Sequence, residues 1–154
     1  PHRLRVLPEM FTAADHQYMA RALRLAARGL YTTDPNPRVG CVLVRDGQIV
    51  GEGWHERAGE AHAEINALRQ AGERAAGATA YVTLEPCAMC AGAIIHARID
   101  RVVFAATDPR AGAAGSVHDL LPSDGRFNHR TDCEGGLLAD ESAQLLRDFF
   151  RARR

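Results

Sequence analysis

The chain has 154 residues, of which 46% are hydrophobic and 25% are charged. This length suits one domain with a hydrophobic core, and no apolar run approaches the roughly 20 residues that a membrane-spanning helix needs. Basic and acidic residues balance at 19 each, and every basic residue is arginine, so no overall positive field that would attract nucleic acid is expected.

The N-terminus and the cysteines bear on the compartment. Residues 1–10 lack the apolar core of a signal peptide and are predicted to be an N-terminal extension. Cys87 and Cys90 share one C-x-x-C, whereas Cys41 and Cys133 are isolated. Without secretory signals, this usage favours a reducing compartment and a metal site over disulfides. We therefore expect a cytoplasmic protein without membrane attachment.

Helices and strands alternate along the first half of the chain. A capping box of Thr12 and Asp15 opens the first predicted helix, and Asp46-Gly47 is typical of a hairpin turn. The predicted elements here are a helix over 12–29, strands over 39–44 and 49–54, and a helix from 62 to about 75.

The second half continues the alternation. It predicts a strand over 80–84, a helix over 87–97, a strand over 101–105, a loop over 108–115, a short helix within 115–121, a polar loop over 122–131, a short strand over 131–134 and a last helix over 140–151. Alternating helices and strands are typical of an α/β layered domain, which we assign to residues 11–154 as a single unit.

Three side chains in two short motifs predict a metal site. His62 supplies nitrogen, and Cys87 and Cys90 supply sulfur, which are the donors that zinc prefers. Three protein ligands leave the fourth tetrahedral position open for water, as in catalytic zinc sites. Cys87 and Cys90 are three residues apart in the first turn of a predicted helix, where the helix dipole favours the thiolate.

Glu64 is the predicted proton carrier. In a regular helix the side chains of His62 and Glu64 point about 200° apart, so both reach one site only if it lies over the helix end. There Glu64 would take a proton from water and deliver it to a ring nitrogen and then to departing ammonia. The pairing of H-x-E with P-C-x-x-C is the pattern of zinc nucleobase deaminases. Two alternatives are a closed zinc knot completed by Cys133 or a histidine, and a metal-free redox C-x-x-C.

These motifs resemble the cytidine deaminase superfamily, and two of its members in turn. Residues 15–86 are similar to the deaminase domain of the bifunctional riboflavin-biosynthesis enzyme, through the segments NPRVG (36–40), GEGWH (51–55), GEAHAE (59–64) and ATAYVTLEP (78–86). Residues 87–154 are similar to bacterial tRNA adenosine deaminase, through CAMCAGA (87–93), HARI (96–99), GAAGS (112–116), NHR (128–130) and FFR (149–151).

The chain departs from both patterns. Only two residues separate Cys87 from Cys90, where the riboflavin family has a longer insert that carries groups for the substrate phosphate. His55 stands where the tRNA family has asparagine, and Asn36 and the short step from His55 to His62 follow the riboflavin pattern. We interpret this change of resemblance after Pro86 as the sign of a chimera or an otherwise engineered deaminase, with a natural divergent paralogue as the alternative.

The resemblance implies a fold, a cofactor and a set of contacts. It implies a three-layer α/β/α cytidine-deaminase-like fold with a five-stranded mixed sheet, bound Zn²⁺ and a homodimer. It places Asn36, His55 and Ala63 at the base pocket, and Asp108 beside a flanking nucleotide. The arginines of the last helix end would meet phosphates: Arg151, Arg153 and Arg154.

The leading functional expectation is deamination of adenosine to inosine in an RNA loop, resembling editing of the tRNA anticodon loop, with the base flipped into a pocket over zinc. One alternative is a riboflavin-type deaminase acting on a small phosphorylated aminopyrimidine. Another is a cytosine or adenine deaminase that acts on single-stranded nucleic acid. From a different class comes an inactive dimer partner that binds RNA without turnover.

Overall fold

A computed structural model describes residues 11–29, 38–121 and 129–152 of the chain, with side chains up to residue 148. The predicted N-terminal extension, Asn36, Arg153, Arg154 and the side chain of Arg151 therefore lie outside the described part. Within those ranges, no helix combines the length and the apolar character that a membrane crossing requires.

Five strands form one mixed sheet. They are β1 (Gly40–Arg45), β2 (Gln48–Trp54), β3 (Thr79–Leu84), β4 (Arg101–Ala106) and β5 (Asp132–Gly135). Their order across the sheet is β2-β1-β3-β4-β5. β1 pairs antiparallel with β2 and β3, whereas β3–β4 and β4–β5 are parallel. The five predicted strands, including the short last one, are confirmed to within one residue at most ends.

Four helices cover the sheet on both faces. They are α1 (Ala13–Ala27), α2 (Ala63–Ala71), α3 (Ala88–His96) and α4 (Ala139–Ala152). α2 and α3 pack on one face around a core that includes Leu43, Ile94 and Phe104. α1 and α4 lie on the other face, where Met19 and Leu25 are fully buried. The predicted three-layer α/β/α arrangement is confirmed.

Glycines let two of the helices approach the sheet closely. A Cβ atom on Gly53 would lie 2.4 Å from the Ala63 carbonyl oxygen, and one on Gly51 would lie 2.4 Å from the Ala67 carbonyl oxygen. Neither distance is compatible with a side chain, so α2 rests directly on the backbone of β2. Gly40 plays the same part beneath α1. The position of α2 above the sheet is thus fixed by backbone contact.

Two predictions for the segments around the sheet are corrected. The helix predicted over 62–75 ends at Ala71, because Gly72 takes a φ of +58° and a 3₁₀ turn over Gly72–Ala75 follows. The short helix predicted within 115–121 is wrong. Ala114 instead pairs with Asp119 across a tight turn, in which the Gly115 N–H donates to the His118 carbonyl at 2.8 Å.

Asp15 joins the start of α1 to two strands. It completes the predicted capping box with Thr12, which is confirmed. It also accepts from the Tyr81 hydroxyl at 2.6 Å and from the Arg101 guanidinium at 3.0 and 3.2 Å. Burial alone would raise the pKa of this carboxyl, but the hydrogen bonds from Arg101 and Tyr81 lower it from 3.8 to about 2.

We expect Asp15 to make the free energy of unfolding depend on pH in the acid range. Its depressed pKa contributes about 2 kcal/mol of unfolding free energy that is present above pH 4 and lost as the pH falls towards 2. Asp15→Asn should therefore be less stable than the parent by about 2 kcal/mol at pH 6. The difference should shrink as the pH falls through 2, because the folded-state carboxyl is half protonated at its pKa of about 2. Urea unfolding followed by circular dichroism at each pH measures it, and a gap that does not change with pH would contradict this account.

Candidate active site

Two helix N-termini bring the three predicted ligands together. His62 is the N-cap of α2 and Cys87 is the N-cap of α3, both with extended backbone, and Cys90 lies in the first turn of α3. Neither side chain caps its helix with a hydrogen bond, and both belong to the cluster of donors. His62 leaves from extended backbone while Glu64 leaves from the first helical turn. His62 and Glu64 line the same cavity, as expected for a site over the start of α2, and their roles there stay a prediction.

The spacing of the donor atoms fits zinc. His62 Nδ1 lies 3.7 Å from Cys87 Sγ and 3.4 Å from Cys90 Sγ, and all three donor atoms lie within 4.8 Å of one another. Zinc–sulfur and zinc–nitrogen bonds of about 2.3 and 2.1 Å at the tetrahedral angle set an S···N separation of about 3.6 Å. The residues present therefore fit a tetrahedral ion with three protein ligands.

The two cysteines differ in acidity. Hydrogen bonds from Cys90 and His62 lower the pKa of the Cys87 thiol to about 3. The pKa of Cys90 is raised, because its proton is shared with Cys87 and because it is buried. The hydrogen bond to Cys87 raises the pKa of His62. Cys87 is thus a thiolate, and the neighbouring Cys90 thiol would release its proton when a metal binds. This is the behaviour of cysteines in a thiolate zinc site.

Glu64 is a buried carboxyl beside these donors. Glu64 is 4% exposed to solvent. Burial raises the pKa of Glu64 to about 7, and the negative charge of Cys87 adds to the rise. A carboxyl that exchanges its proton near neutral pH suits general acid–base work.

A cavity of about 140 Å³ lies over the donors. It is lined by His62, Glu64 and Cys87, and by three of the predicted substrate-binding residues: His55, Ala63 and Asp108. The fourth, Asn36, falls outside the described part of the chain. Four further lining residues were not anticipated as site residues from the sequence: Val39, Leu84, Glu85 and Ala111.

His55 is held in one orientation. Its backbone N–H donates to the Val39 carbonyl at 3.0 Å, and Nδ1 lies 3.1 Å from the Ala61 carbonyl oxygen. Since a carbonyl oxygen only accepts, Nδ1 carries a proton in this contact. Asn66 braces the same segment by donating to the Trp54 and Ala61 carbonyls at 3.0 and 3.4 Å.

Asp108 is partly engaged by its own turn. Its Oδ1 accepts from the backbone N–H groups of Arg110 and Ala111 at 3.0 and 3.3 Å. It therefore shapes the loop as well as facing the cavity.

One imidazole nitrogen and two sulfurs spaced for zinc thus lie beside a buried carboxyl, where two helices of the layered α/β/α domain begin. Comparison with known sequences gives the family. The chain belongs to the family described as the cytidine and deoxycytidylate deaminase zinc-binding region, which matches residues 12–106.

Two curated relatives are similar over most of the chain. The riboflavin biosynthesis protein RibD of Escherichia coli strain K12 is 51% identical over 146 residues, which cover 91% of this chain and 38% of that protein. The diaminohydroxyphosphoribosylamino-pyrimidine deaminase of Buchnera aphidicola subsp. Acyrthosiphon pisum is 48% identical over 143 residues, covering 89% and 94%. The chain thus spans about two fifths of the first relative and nearly all of the second.

A solved structure from work on A-to-I editing by tRNA:A34 deaminases at the wobble position of transfer RNA is similar to the whole domain. It superposes with a TM-score of 0.72 at 36% identity and covers 84% of this chain and 99% of that one. The matches to RibD and to this structure both extend beyond either side of Pro86. The chimeric origin therefore stays a hypothesis drawn from the motifs alone.

Proposed function

We propose that this chain deaminates a small phosphorylated aminopyrimidine, the alternative of the sequence analysis rather than its leading expectation. The observation that carries the proposal is the similarity to riboflavin-pathway proteins at 51% and 48% identity. The Buchnera relative, named as a diaminohydroxyphosphoribosylamino-pyrimidine deaminase, has 94% of its length covered. A domain of this size is therefore enough to hold such an activity by itself.

The cavity supports a single-ring substrate. The Ala61 carbonyl holds the His55 ring at the wall of this cavity, where the ring would contact the pyrimidine. Three carboxyl residues line the described part of the cavity: Glu64, Glu85 and Asp108. A substrate phosphate would then lie outside the base cavity, towards its mouth, since a buried anion beside carboxylates is unfavourable.

Glu64 moves the protons of the reaction. Its carboxylate accepts one proton from the attacking water and donates it to the ring nitrogen next to the reacting carbon. It then carries the second water proton to the exocyclic amine. A C–O bond forms, the exocyclic C–N bond breaks, and ammonia leaves as a new ring carbonyl forms.

His62, Cys87 and Cys90 are the residues that would hold zinc. When bound, zinc supplies the Lewis acidity that makes water a nucleophile near neutral pH. The half-buried position of Cys87 and the full burial of Cys90 limit the access of bulk water to the donors.

Ammonia release tests the proposal. The zinc-loaded protein is given the ribosylamino-pyrimidine 5′-phosphate and, in parallel, the same compound without phosphate. We expect turnover of the phosphorylated compound with the lower KM. Zinc bound in one equivalent without ammonia from either compound would overturn the proposal.

A second candidate is adenosine deamination in an RNA loop. It is favoured by the two-residue spacing of Cys87 and Cys90, and by 36% identity to the structure from work on tRNA:A34 deaminases. An anticodon hairpin bearing adenosine distinguishes the two: inosine without pyrimidine turnover would select this candidate. The homodimer stays a prediction for either reaction, and light scattering measures it.

A further inference from the structure

Glu85 is a buried carboxyl without a role so far. It lies between Leu84, the last residue of β3, and the Pro86-Cys87 step into α3. It is 2% exposed and lines the base cavity. A carboxyl in such a place is unfavourable unless donors satisfy it, so the source of its hydrogen bonds indicates what it does.

The donors to Glu85 all come from the loop over 108–116. Oε1 accepts from the Asp108 backbone N–H at 3.0 Å and from the Ser116 hydroxyl. Oε2 accepts from the backbone N–H groups of Ala114 and Ser116 at 2.9 and 3.1 Å. Both oxygens are therefore used twice, and they bind both ends of the loop.

The middle of the loop also lies close to the Glu85 carboxyl. A Cβ atom on Gly112 would lie 2.3 Å from Glu85 Cδ. Gly112 forms an isolated antiparallel bridge with Cys87, and the Ala113 N–H donates to the Pro86 carbonyl at 2.8 Å. The loop is thus packed over Glu85 and beside the first cysteine of the site.

This loop contributes Asp108 and Ala111 to the cavity wall. Glu64, by contrast, is carried by α2, which rests on β2. The wall that meets the substrate and the group that moves protons are therefore held by different parts of the fold.

We propose that Glu85 is a positioning residue, whose carboxylate holds the loop over 108–116 as the substrate-facing wall of the cavity. It acts on substrate binding rather than on proton transfer. Only the choice of substrate for the assay rests on the function proposed above.

Glu85→Gln is a sharp test because of the pairing of donors. Whichever oxygen the amide NH₂ replaces, it opposes at least one backbone N–H, since Asp108 donates to one oxygen and Ala114 and Ser116 donate to the other. Glu52→Gln is the matched control, because Glu52 lies on β2 and pairs with Arg21 of α1, away from this loop.

Two measurements are made on the zinc-loaded proteins. We expect the amides of Asp108, Ala114 and Ser116 to exchange with solvent about tenfold faster in Glu85→Gln, as expected for the loss of one hydrogen bond to a buried acceptor. We expect KM to rise by about tenfold while kcat changes by less than about threefold, since the lost contact positions the substrate. Glu52→Gln should match the parent in both.

Two further variants keep the test open if Glu85→Gln folds poorly. Ser116→Ala removes only the hydroxyl donor and should give a smaller change of the same kind, and Gly112→Ala should loosen the loop from the other side. Unchanged amide exchange in Glu85→Gln would overturn the proposal. The proposal would also be overturned if Glu85→Gln lost its zinc and its kcat fell by the same factor as its kcat/KM. If the parent does not turn over the aminopyrimidine, amide exchange still tests Glu85, and the functional proposal fails by itself.

Discussion

Glu64→Gln is expected to reduce kcat by about a thousandfold while one zinc stays bound per chain, because general acid–base groups contribute on the order of 10²–10⁴ and the glutamine amide does not exchange a proton near neutral pH. The substitution conserves shape at a residue that is 4% exposed, so the cavity should persist. Ammonia release and metal analysis on the same sample measure the two effects.

Glu60→Gln is the matched control for this experiment. Glu60 is exposed and precedes His62 by two residues, whereas Glu64 follows it by two. The control should keep parent kinetics. A Glu64→Gln protein that retains a tenth or more of the parent kcat, or that loses its zinc, would contradict the role of proton carrier.

Cys90→Ala is expected to abolish zinc binding. Cys90 is fully buried, and its Sγ lies 3.4 Å from His62 Nδ1, so no other donor among the described residues stands ready to replace it. The loss of affinity should exceed the roughly 100-fold that is typical of removing a group that only supports a ligand. Activity should fall with zinc content, and added zinc should no longer raise the melting temperature.

Cys133→Ala provides the comparison. Cys133 is also buried, but it lies on β5 opposite Val102 and outside the cluster of donors. This variant should bind one zinc and raise its melting temperature with added metal as the parent does. Equal zinc content in Cys90→Ala and Cys133→Ala would mean that the C-x-x-C does not hold the metal.

The sequence predicts the parts of this molecule whose signals are local. Thr12 and Asp15 are three residues apart, and their capping box forms as predicted. Cys87 and Cys90 are also three apart, and they meet His62 because each motif begins a helix. Strand and helix boundaries follow from short apolar runs and turn residues for the same reason.

Contacts between distant segments are not predictable in this way. Glu85 precedes a Pro-Cys step, and nothing in its neighbourhood indicates that its donors lie 23 to 31 residues further on. The tight turn at Gly115 replaces the predicted short helix because the N–H groups of Ser116, Val117 and His118 donate to Glu85 and Gly112 instead of to the carbonyls four residues earlier. Asp15 likewise meets Arg101 only in the folded sheet.

Substrate choice is the least predictable property. Short C-terminal motifs and the cysteine spacing favoured an RNA adenosine, whereas identity over nine tenths of the chain favours a riboflavin-pathway substrate. The zinc donors are the same for both reactions, so the chemistry follows from the motif while the substrate depends on the walls around it.

α2 rests directly on Gly51 and Gly53, so substitutions at these glycines cannot change the distance between α2 and β2 in small steps. Each added methyl at either position would meet a helix carbonyl oxygen at 2.4 Å, so the smallest possible substitution already lifts the helix that begins beside His62. The position of the reacting groups at the start of α2 therefore depends on glycine at both of these positions in β2. Variation in what this domain accepts is therefore left to the side chains that the loops present to the cavity, such as Asp108 and Ala111.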